Sequence, residues 1–100
     1  MGKLVRDLIP EIIERSGRTP EVRLLDQDEY VAALHDKLLE EAKELRQAEG
    51  PARLEEAADV YEVLLAIGRT LDVSMQAIAA AANAKRAERG GFERRLWLEG

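Results

Sequence analysis

The sequence predicts an all-α domain, a four-helix bundle completed by association between copies of the chain, with one small two-stranded β-ribbon beside it. Three observations point there. Apolar residues recur at three- and four-residue spacing over most of the 100 residues, the repeat of a helix face. Turn and capping residues divide the chain into four such stretches. The third stretch is apolar around most of its circumference, more than three companions from one small chain can cover.

The first helix is expected over Arg6 to Arg15, where Leu8, Ile12 and Ile13 form a stripe around Pro10. Proline is tolerated there because a first-turn N–H has no helical partner in any case. Ser16-Gly17-Arg18-Thr19-Pro20 breaks the chain. Val22 to Leu25 is short and bounded by turn residues, as a strand is. Asp26 or Asp28 can cap a second helix running to about Ala48. Glu49-Gly50-Pro51 then forms a turn, since glycine suits a helix end and proline the next beginning. The third helix covers about Ala52 to Leu71. Ser74 caps a fourth, alanine-rich helix that ends at Arg89, before Gly90-Gly91. Phe92 to Leu98 can form a second strand, pairing with Val22–Leu25.

Composition excludes several chemistries. Without cysteine there is no disulfide, thiolate metal site or cysteine nucleophile. One histidine, His35, rules out a multi-histidine site in one chain, and it reads as a structural or surface residue. A metal would sit on oxygen ligands, which favours Mg²⁺, Mn²⁺ or Ca²⁺. The net charge of −5 argues against nucleic-acid backbones as partners. An acidic protein can still bind a polyanion when metal ions reverse the local sign. No apolar run approaches the roughly 20 residues of a membrane span, and no signal-type apolar stretch follows the charged start. The expectation is a cytoplasmic protein with no membrane partner.

The carboxylates carry the chemistry. Leu34, Leu38, Glu41, Leu45 and Ala48 follow one another at four- and three-residue steps, so Glu41 occupies an apolar-stripe position. Glu44 sits one turn later at the edge of that stripe. A carboxylate so placed costs free energy unless it is paired or bound to metal. In the third helix, Leu54, Ala57, Val60, Tyr61, Leu64, Leu65 and Gly68 are interrupted by Glu55, Glu56, Asp59 and Glu62. Glu56 and Asp59 are again one turn apart. Either pair alone is what a solvated helix face shows. The turn joins them: positions 41 and 59 each lie nine residues from Gly50, and positions 44 and 56 each lie six. In an antiparallel hairpin Glu41 then faces Asp59 and Glu44 faces Glu56, across axes about 8–10 Å apart. Unneutralised, the four acids would repel one another by several kcal/mol in a low-dielectric setting; a cation removes that penalty.

At these residues the chain resembles a known family. Leu39-Glu40-Glu41-Ala42-Lys43-Glu44 followed by Glu56-Ala57-Ala58-Asp59 is similar to the EExxE…ExxD pattern of the all-α NTP pyrophosphohydrolases. That superfamily includes MazG and the phosphoribosyl-ATP pyrophosphohydrolases. The opening, Lys3-Leu4-Val5-Arg6-Asp7-Leu8-Ile9-Pro10-Glu11-Ile12-Ile13, resembles its small MazG-like house-cleaning branch, as does Lys85-Arg86-Ala87-Glu88-Arg89-Gly90-Gly91-Phe92. Three segments in order cover nearly the whole chain.

The resemblance implies a MazG-like bundle, one domain over residues 1–100, that cuts a nucleoside triphosphate between its α and β phosphates. It implies Glu41, Glu44, Glu56 and Asp59 as Mg²⁺ ligands, with Mn²⁺ as a substitute. Glu40 becomes an extra ligand or the base for the attacking water, beside Glu41 and Glu44 in the catalytic motif. Asn83, Lys85 and Arg89 are placed on phosphate, with Arg6 and Asp7 bordering the pocket. Phosphoryl transfer needs positioning and charge neutralisation more than a protein nucleophile, and no Walker-type glycine loop is present. Phosphoribosyl-ATP is the alternative substrate. A non-catalytic helical oligomer that binds metal or nucleotide is the alternative of another class. The apolar third helix calls for a homodimer or tetramer. Phe92 and Trp97 read as packing residues.

Overall fold

The computed structural model describes residues 2–100. Four helices form among the described residues: α1, Ile9–Arg15; α2, Gln27–Gln47; α3, Ala52–Thr70; and α4, Met75–Arg89. No strand forms among them, so the architecture is all-α. The antiparallel α2–α3 hairpin is the body of the molecule.

Local signals set the boundaries. Asp26 and Glu29 form a reciprocal cap at the start of α2: the Asp26 carboxylate accepts from the Glu29 N–H at 2.8 Å, and Glu29 Oε1 accepts from the Asp26 N–H at 3.1 Å. Two orphan donors are satisfied at once. Gly50, at φ 55, takes the left-handed conformation that turns the chain into α3. Ser74 caps α4, its Oγ accepting from Ala77 N–H at 3.0 Å.

The end of α3 has a tighter solution. Asp72 is left-handed (φ 54), Val73 N–H donates to Gly68 O at 2.8 Å, and Asp72 N–H donates to Arg69 O at 3.2 Å. These two bonds close the last turn by reaching back to its free carbonyls. They turn the chain so that α4 departs from α3 bent by 104°. The corner is crowded: a Cβ at Gly68 would lie 2.8 Å from Val73 O and 3.3 Å from Ile78 Cδ1. Gly68→Ala should therefore destabilise the protein by about 1–3 kcal/mol, the typical cost of overpacking. Urea unfolding measures it, and an unchanged midpoint would show that the corner yields.

Two expectations need correction. The first helix begins at Ile9 rather than Arg6. In a longer helix the Pro10 ring would collide with the Arg6 carbonyl four residues back, so Arg6, Asp7 and Leu8 lie outside it. The β-ribbon is absent: neither Val22–Leu25 nor Phe92–Leu98 is a strand. A lone two-stranded ribbon is marginal without an apolar face to pack on, and here Leu24 is 98% and Leu98 93% exposed. Phe92 and Trp97, read as packing residues, are likewise exposed in this chain.

The core is small. Leu34, Val63 and Ile67 are its buried members, with Leu4, Tyr30, Leu38 and Ala66 packed around them. The radius of gyration is 17.2 Å, against about 13 Å for a compact chain of this length. Leu39, Leu54, Tyr61 and Leu71 remain exposed on the helices or at their ends. No single helix among the described residues is long and apolar enough to cross a membrane.

Candidate metal centre between α2 and α3

The hairpin brings the acids together at Glu41. One carboxylate oxygen from each of Glu41, Glu56 and Asp59 lies within 4.8 Å of the others, and the same holds for Glu40, Glu41 and Glu44. Glu41 thus links an α2 set to an α3 set. The expected approach of Glu41 and Asp59 across the hairpin is present. Glu44 joins Glu40 and Glu41 on its own helix, and Glu56 joins Glu41 and Asp59, so Glu41 holds the centre.

Burial makes Glu41 unusual. It is 6% exposed, the sole charged residue among the buried positions described, and its apolar-stripe position is what takes it inside. Lys37, one turn earlier, approaches Glu41 Oε1 at 3.4 Å and Glu40 Oε2 at 3.6 Å. The other Glu41 oxygen, Oε2, is buried without a hydrogen-bond partner, as is Oε2 of Glu56. Two buried acceptors without donors are costly. Oxygen donors of this type, converging from two helices, suit Mg²⁺, Mn²⁺ or Ca²⁺. The donor set fits a hard divalent cation.

The same burial acts on the Glu41 proton. Loss of water contact is the first cause holding its carboxyl above the ordinary glutamate range. Hydrogen bonding and charge from Glu44 add to it, and Lys37 opposes both. The sign for stability follows. Folded Glu41 holds its proton to higher pH than unfolded Glu41, so the folded state binds more protons above the ordinary value of about 4.3. Stability from this group is lost as pH rises from there to the folded pKa. Metal-free protein should lose melting temperature relative to Glu41→Gln as the pH rises above the ordinary glutamate value of about 4.3. Parallel curves for the two proteins would refute this.

Beside the acids lies an open cleft of about 730 Å³. The segment Lys3–Ile9 forms one wall, and Tyr30, Leu34, Lys37, Glu41, Asp59, Glu62 and Arg69 contribute to the others. Arg6 and Asp7 border it, and Arg6 Nη2 donates to Asp59 Oδ1 at 2.7 Å. Asn83, Lys85 and Arg89 do not line this cleft within one chain. The bend after α3 carries them away. Asn83 Oδ1 accepts from Arg86 at 2.8 Å, and Arg89 lines a separate cleft with Gly90 to Leu96.

Sequence reasoning missed Lys37, Tyr30 and Arg69. Lys37 had a readable signal, because it lies one turn before Glu41 on the same face. Tyr30 and Arg69 reach the cleft through the pairing of hairpin ends, which no local spacing encodes.

Comparison with known proteins adds a limited match. A protein of Mycolicibacterium smegmatis described as uncharacterized is 61% identical over 49 residues, 49% of this chain and 50% of that protein. The match thus spans about half the length of each. No family model matches the chain, and no solved structure does.

Proposed function

We propose that this chain is a Mg²⁺-dependent nucleotide pyrophosphohydrolase of MazG-like type, cleaving a nucleoside triphosphate between its α and β phosphates. The observation that carries the reading is the buried, partnerless Oε2 of Glu41 within a cluster of acids from two helices. A purely structural core gains nothing from such an atom, whereas a divalent cation satisfies it.

Glu41, Glu56 and Asp59 hold the cation, with Glu44 and Glu40 at the α2 edge. A bound Mg²⁺ would supply charge neutralisation on phosphate oxygens and a more acidic water. Glu40 is half-buried and close to Glu41 and Glu44, where a carboxylate can accept a proton from that water. Lys37 keeps Glu40 and Glu41 in place between them. The basic lining groups Lys3, Arg6, Lys37 and Arg69 offer the cleft charges for an anionic substrate.

The working form is a homo-oligomer, dimer or tetramer. Three buried residues make a slight core, and a stripe containing Leu54 and Tyr61 along α3 is left without a partner in one chain. A second copy covering that stripe completes the bundle and can carry Asn83, Lys85 and Arg89 toward a neighbour's cleft.

The test is incubation of the full chain with a nucleotide panel and Mg²⁺, assaying pyrophosphate. Release that requires Mg²⁺ is expected. No release from any nucleotide, with metal binding intact, would replace the enzyme with a non-catalytic metal- or nucleotide-binding oligomer. Phosphoribosyl-ATP belongs in the panel as the alternative substrate.

A further inference from the structure

The N-terminal segment supplies the acidic cluster with a cation of its own. Leu4 packs against the Leu34–Val63–Ile67 core and anchors the segment at the cleft wall. Two residues on, Arg6 reaches across to Asp59 Oδ1 at 2.7 Å, joining positions 53 apart in sequence. That ion pair is loosely held: the side chains of Arg6 and Asp59 are 58% and 38% exposed. Lys37 differs. Its side chain is 19% exposed, and it bridges two carboxylates of its own helix.

We infer that Arg6 is an exchangeable counter-cation: a divalent ion taking Asp59 displaces the Arg6 guanidinium, which then becomes the cleft's grip on the anionic phosphates. This rests on the divalent-cation reading of the cluster and deepens it by setting an order, cation first and anion second. Cation and guanidinium carry like charge and compete for one carboxylate, so they do not share Asp59 without mutual repulsion. The freed guanidinium does not go far. Leu4 before it and α1 after it keep it at the cleft, and its planar fork suits paired phosphate oxygens. Asp59 thus withholds Arg6 from anions until the metal arrives.

The exchange predicts effects of opposite sign from one substitution. Titration calorimetry of the full chain measures Mg²⁺ alone, then inorganic pyrophosphate at saturating Mg²⁺. Arg6→Ala should bind Mg²⁺ about two- to five-fold more tightly, the range an exposed ion pair is worth. The same variant should bind pyrophosphate about tenfold more weakly, having lost a charge-assisted contact. Arg6→Gln, which keeps bulk and loses charge, should follow it. Arg15→Ala removes an equal charge from the end of α1, outside the cleft and without breaking the Asp59 pair, and should not show the opposed shifts. Unchanged or weaker Mg²⁺ binding in both Arg6 variants overturns the exchange, as does Arg15→Ala reproducing the opposed pattern. If the wild-type chain binds Mg²⁺ and these shifts fail, the exchange alone falls. If it binds no divalent cation, the metal centre falls with it.

Discussion

Glu41→Gln is expected to reduce pyrophosphate release by at least about 100-fold, while raising the melting temperature of the metal-free protein. Changes even to groups that only support metal ligands typically cost about 10–100-fold in affinity or activity, and Glu41 lies at the junction of both acid sets. Stability moves the other way because the substitution relieves a buried charge. Glu41 has Lys37 on one oxygen and nothing on the other, with Glu44 beside it. A neutral amide of the same shape loses the repulsion and gains an N–H to donate. Thermal melts with and without Mg²⁺ separate the effects: Mg²⁺ should stabilise wild type and leave the variant nearly unmoved. Activity surviving both Glu41→Gln and Asp59→Asn would remove the acids from the chemistry altogether.

The second large effect concerns assembly. Leu54→Glu combined with Tyr61→Glu should dissociate the proposed oligomer and leave a chain that melts far lower or does not fold. These positions lie seven apart on α3 and are 78% and 52% exposed in the single chain, so a monomer would tolerate glutamate at both with little change. Buried at an interface between copies, each charge would sit against apolar surface, and losing an aromatic anchor there costs about 2 kcal/mol or more. Light scattering after size exclusion reads the result. A double variant with wild-type mass and stability would place the interface elsewhere, and a monomeric wild-type protein would dispense with it.

The helices were legible because their signals are local. Asp26, Gly50-Pro51 and Ser74 each act within a few residues of themselves, and the structure ends and begins helices at those points. The meeting of Glu41 and Asp59 was legible for a related reason: a short turn converts sequence distance into spatial register. What failed depended on less local physics. Val22–Leu25 and Phe92–Leu98 have strand-like composition, but composition cannot supply the sheet such segments would need. The departure of α4 hangs on Asp72 adopting φ 54 and on the absence of a Cβ at Gly68. Neither is visible in helical periodicity, so the removal of Asn83, Lys85 and Arg89 from the cleft was not either.

All five clustered acids lie between residues 40 and 59, on one uninterrupted hairpin. Of the basic residues in the cleft, Lys37 and Arg69 belong to that hairpin and Lys3 and Arg6 precede it, whereas Lys85 and Arg89 of α4 follow it and lie outside the cleft. Such a layout divides the candidate site into two parts. The hairpin is a local unit whose contacts close over a short span of chain, the kind that forms early in folding. The N-terminal flank touches it at two points, Leu4 on the core and Arg6 on Asp59. The placement of the acids is thus set by the hairpin, whereas part of the cleft's positive charge comes from chain outside it.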